Sequence, residues 1–137
     1  MDFTGTILTK AVLTNAVLTG VDLSNKDLSG TMLIDTDLTG SELTNAVLTD
    51  ATLTDANLTN ATLEKAKLLN TNLDSANLTN ADLRNTLLVD VNLTDAILTG
   101  ADLTNAVLTD AVLTRADLTN AVLTNTILNC VGHPICV

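Results

Sequence analysis

Three groups of residues have types and spacing that could do chemistry. The first is Cys130, His133 and Cys136, three potential metal ligands within "CVGHPIC". Structural zinc takes four protein ligands, and no fourth accompanies these three, so no metal is expected. Cys130 and Cys136 are instead read as free thiols or as a disulfide, according to the redox compartment. The second group is the carboxylates: 16 Asp and Glu face 6 Lys and Arg, for a net charge of −10. The third is Lys26, which stands where the surrounding pattern places small residues. Catalysis from any of these needs a partner. The chain has one His, no Gly-rich phosphate loop and no Ser/His/Asp set. A lysine without a cleft or a paired base is not an activated nucleophile. Carboxylates on a solvated outer surface are expected to keep ordinary acidity and do poor general-acid work. We therefore expect no enzyme and no cofactor. The negative charge argues against direct binding to nucleic acid or an anionic membrane and favours a basic protein partner.

The elements that would carry these residues are set by a five-residue period. From Leu8 to Leu128 every fifth residue is leucine, 25 in succession, and Phe3 extends the column backwards. Two residues before each leucine the side chain is small: fifteen Ala, six Thr, two Val and one Ser, with Lys26 the exception. The residue after each leucine is mostly Thr, and the next is usually Asn, Asp or Gly. A step of five advances a helix by about 140° net, scattering the leucines around its surface. On one continuous strand an odd step alternates faces. A three-residue extended piece followed by a corner satisfies the pattern. Within "A-x-L" the Ala and Leu point inward and the middle residue outward, while Asn, Asp or Gly supplies the left-handed corner. The chain then winds as a solenoid whose coils pair their backbones with one another.

The units "ANLTN" (56–60), "ADLRN" (81–85) and "ADLTN" (101–105, 116–120) resemble the pentapeptide-repeat family. The resemblance spans residues 1–129 and leaves 130–137 as an irregular C-terminal tail or cap. It implies an all-β fold, a right-handed quadrilateral parallel β-helix of four five-residue faces per coil, with no helical domain. About 6.5 coils at ~4.8 Å spacing make a rod ~31 Å long. Many family members use Phe at some central positions, whereas this chain uses Leu.

Folding the sequence at twenty residues aligns the outward positions. One column holds Asp2, Asp22, Glu42, Asp82 and Asp102, a candidate acidic face. The next reads Ile7, Asp27, Val47, Lys67, Leu87, Val107, Ile127 and is largely apolar. Outward apolar residues gather near the ends. Leu87, Ile97, Val107, Val112, Val122 and Ile127 are the candidate self-association residues towards the C-terminal end, so a homodimer or end-to-end stack is expected. Slots 26, 31, 36 and 41 hold Lys, Thr, Thr and Ser, a polar layer in which hydroxyls can bond nearby backbone. Lys26 is expected to snorkel towards Asp22 or Asp27.

These features favour a non-catalytic scaffold presenting flat faces for protein–protein interaction. The family resemblance adds an alternative, mimicry of B-form DNA towards a type II topoisomerase. A ~31 Å duplex carries ~18 negative charges, and the net −10 reaches about half of that. A third reading is a consensus-like repeat segment without activity of its own. The N-terminus "MDFTGTILTK" has no charged region before an apolar core, which favours a cytoplasmic location, although a processed precursor would look the same. Four N-x-T sequons, at Asn57, Asn60, Asn77 and Asn92, follow from the repeat composition.

Overall fold

The computed structural model describes Phe3 and residues 5–136. Short extended pieces alternate with two-residue corners along the solenoid, and no helix occurs among the described residues. From Val12 to Val107 each outward residue forms a parallel bridge to the residue twenty positions on, as in Asp22 to Glu42 and Asn57 to Asn77. Twenty residues per coil and five per side make the solenoid four-sided, in agreement with the family resemblance.

One repeat shows how the backbone closes. Glu42 N–H donates to Val21 O of the preceding coil at 2.9 Å, and Leu43 N–H to Thr62 O of the following coil at 2.7 Å. Asn45 N–H reaches Glu64 O at 3.0 Å, and Ala46 N–H closes the corner onto Leu43 O at 2.9 Å. Four of five amides are thus bonded by the lattice itself, as buried backbone requires. The corner forces a left-handed residue at its second position. All twenty-five such positions from Gly5 to Asn125 have φ between 53° and 71°. None holds Thr, Val or Ile, whose branched Cβ tolerates that region worst.

The core is the leucine column. Every fifth residue from Leu18 to Leu113 is 1 % exposed or less, and Ala lines most of the adjacent slots. Towards the ends, Leu13, Leu118, Leu123 and Leu128 are half-buried. In the polar layer Thr31 donates to Leu8 O at 2.9 Å and Thr36 to Leu13 O at 2.8 Å. Ser41 has an equivalent slot, but its buried Oγ has no hydrogen-bond partner. Lys26 is half-buried, consistent with a stem along the wall.

The register changes once. Val112 bridges Val131, nineteen residues on instead of twenty. Dropping one residue lets Cys130 fill the small slot beyond Ala111 and join the core. The pairing therefore runs two residues past the expected boundary at 129.

Candidate functional site

The structure stacks the expected acidic column in register. Asp22 bridges Glu42, Asp82 bridges Asp102, and Thr62 stands between the pairs. Asp2 lies outside the described residues. Asp82 does not present a free charge. Arg84 Nε donates to its Oδ1 at 2.8 Å and Nη2 to its Oδ2 at 2.6 Å, while Nη2 also lies 3.6 Å from Glu64. This fork holds the Asp82 carboxyl below the usual carboxylate range. Asp22, Glu42 and Asp102 remain as the outward acids of that face.

The outward Asp and Asn residues have a structural duty that the sequence reading missed. Asp37 Oδ1 accepts the Thr39 N–H at 3.0 Å and the Thr39 hydroxyl at 2.6 Å. Asp102 holds Thr104 in the same way, at 2.9 and 2.6 Å. The same clamp recurs at Asn57 and Thr59, Asn77 and Thr79, and Asn92 and Thr94. It satisfies the one amide per repeat that the lattice leaves open. The signal was present as D/N-L-T/S, and three of the four sequons are such clamps. Asn60, the fourth, is an exposed left-handed corner.

The six candidate association residues do not form one surface. Leu87, Val107 and Ile127 stack on one face through successive bridges. Val112 lies on the next face with Val131, Ile97 bridges Asn77 and Asp117, and Val122 sits beyond Asp102 on the acidic face. Leu87 is 37 % exposed and Ile127 53 %. Leu69 and Val89 occupy stacked corner positions beside that column, where Thr is the usual residue, and widen it. Their signal was the doubled apolar pairs Leu68-Leu69 and Leu88-Val89.

In the tail, Cys130 and Cys136 form a disulfide. His133 Nδ1 accepts the Ile135 N–H at 3.2 Å. Among the described residues no group of His, Cys, Asp or Glu is arranged to hold a metal ion.

A four-sided solenoid of five-residue sides with leucine at the axis defines a class of repeat protein. The family model for pentapeptide repeats matches in 8 copies, at residues 2–31, 11–50, 27–60, 51–88 and 86–125, and the chain belongs to that family. Among solved structures it is similar to a pentapeptide repeat protein from the Arabidopsis thaliana thylakoid lumen. The two are 31 % identical over 72 % of this chain and 69 % of that one, with a TM-score of 0.70. It also shares its fold with trypsin-treated QnrB1, a plasmid-mediated fluoroquinolone resistance protein. There the identity is 20 % over 90 % of this chain and 66 % of that one, with a TM-score of 0.58. No curated protein sequence matches the chain.

Proposed function

We propose that this pentapeptide-repeat chain is a non-catalytic scaffold. It binds a basic protein partner through Asp22, Glu42 and Asp102, and pairs with a second copy through Leu87, Val107 and Ile127. The observation that carries this reading is the placement of an acidic and an apolar column on adjacent sides of one solenoid. Separate faces allow one partner to be held without competition from the other. The charge supports local recognition over mimicry of duplex DNA, since six bases offset sixteen acids and Arg84 occupies Asp82.

The test is affinity capture from the source organism with wild type and two variants. Asp22→Asn/Glu42→Gln/Asp102→Asn is expected to lose a partner that 0.5 M salt also releases, as exposed charge contacts are screened. Val107→Asp/Ile127→Asp is expected to retain it. Retention of every partner by the neutralised variant refutes the acidic-face assignment. DNA gyrase supercoiling with micromolar protein is expected to be unaffected, and inhibition would support mimicry instead.

A further inference from the structure

We propose that the Cys130–Cys136 disulfide is a redox latch holding residues 132–136 against the last coil, and that a dithiol reductant opens it. The tail is built as a closure. Losing one residue from the register places Cys130 in a core slot, 9 % exposed. Val131 then bonds the coil on both sides, its N–H donating to Ala111 O at 2.9 Å and its O accepting Leu113 N–H at 2.8 Å. Gly132 follows with φ of 85°, pressed on Thr114 so closely that a Cβ would lie 2.4 Å from Thr114 Oγ1 and 3.0 Å from its backbone N. Only a glycine fits both that angle and that approach.

Backbone pairing with the solenoid stops at Val131. Between Gly132 and Cys136 the described backbone bond is internal, Cys136 N–H to His133 O at 3.0 Å. Ile135 and Cys136 nevertheless pack on the apolar core. Beyond Gly132, what ties this loop to the coil is the contact of those two side chains and the covalent bond to Cys130. A short irregular segment held by so few contacts does not offset its ordering entropy once the cross-link is gone. Ile135 and Cys136 are packed on the buried core, which loses that cover when they leave.

The chemistry is thiol–disulfide exchange. Cys136 sits in the partly exposed arm of the loop and Cys130 in the core. A dithiol's thiolate attacks the Cys136 sulfur, forming a mixed disulfide as the Cys130 thiolate leaves and takes up a proton. The second thiol of the reductant then displaces Cys136. Two electrons and two protons pass to the protein, and the reductant ends as its own disulfide. In a reducing cytoplasm the latch would stand open, and in an oxidising compartment closed.

Hydrogen exchange read by mass spectrometry tests this on the whole chain, oxidised and after dithiothreitol. Exchange of the segment 132–136 is expected to quicken at least tenfold on reduction, with exchange around Leu68 unchanged and a hydrophobic dye newly bound. Cys136→Ser is expected to match the reduced protein without reductant. Unchanged protection of 132–136 after full reduction overturns the latch. So does quickened exchange along the whole solenoid, which would make the bond a global staple, or free thiols persisting under air oxidation.

Discussion

Asp37 Oδ1 holds both the backbone N–H and the hydroxyl of Thr39. The relationship has a pH consequence. Hydrogen bonds from the following Ser or Thr, the hydroxyl first and then the amide, hold Asp22, Asp27, Asp37 and Asp117 below the usual carboxylate range. A carboxyl depressed in the folded state contributes stability above its unfolded pKa of about 3.9, lost as pH falls through the folded value. Asn57 makes the same two bonds to Thr59 without titrating. Asp22→Asn/Asp27→Asn/Asp37→Asn/Asp117→Asn is therefore expected to lose less melting temperature between pH 7 and pH 3 than wild type. Relief of the −10 net charge by acid works in the opposite direction, so a larger loss in wild type isolates the clamp. Equal losses would deny it.

Leu68→Ala is expected to cost ~2–5 kcal/mol, because it opens a cavity in a fully buried column. Thr59→Ala removes a half-buried hydroxyl bonded to Asn57 at 2.7 Å and is expected to cost ~1 kcal/mol. Denaturant melts of the two variants give the comparison. A Thr59 loss equal to that of Leu68 would place the stability in the clamps and not in the core.

The period, the inward leucine and small slots, and the left-handed corners were legible because each is a direct steric demand on one residue type. The number of sides was not, since five-residue periodicity is compatible with any count and only the family resemblance supplied four. The acidic column was legible as an alignment. Its capture by Arg84 was not, because a long side chain two positions on can point several ways. The clamps were missed because Asp on an outer face reads equally as charge and as backbone acceptor. The disulfide stayed open since compartment decides thiol oxidation, and the nineteen-residue step has no sequence mark beyond the missing leucine at 133.

The polar layer separates two slots of similar chemistry. Ser41 Oγ is buried without a partner, and Ser41→Ala is expected to leave stability unchanged or raise it by up to ~1–3 kcal/mol. Thr36→Val is expected to lower it, since its hydroxyl bonds Leu13 O at 2.8 Å. Lys26→Ala returns a slot to the lattice's preferred residue and is expected to raise the melting temperature. A fall there would mean that the ammonium makes bonds worth more than its desolvation costs.

Association should follow the face that is stacked. Val107→Asp/Ile127→Asp puts two carboxylates on bridged neighbours and is expected to abolish self-association. Ile97→Asp, on another side, is expected to leave it intact. Sedimentation equilibrium at tens of micromolar reads both, and a strict monomer in wild type ends the proposal.

The corners supply the cleanest test of why the chain keeps its period. Asn60 is exposed at φ of 57°, and its side chain makes no hydrogen bond among those described. An L-residue in this region carries a penalty of about 1–2 kcal/mol, which glycine escapes and asparagine partly offsets. Asn60→Val is expected to lose about 1–2 kcal/mol through backbone strain alone. Asn60→Gly should stay near wild type, because its relief is offset by extra freedom in the unfolded chain. Asn120 occupies the same corner three coils on, roughly 14 Å away at ~4.8 Å per coil, with φ of 59°. Sites that far apart add, so Asn60→Val/Asn120→Val should show the sum of the two single losses in urea melts. Were the valine and glycine variants to melt together, the left-handed corner would not be what selects Asn, Asp and Gly there.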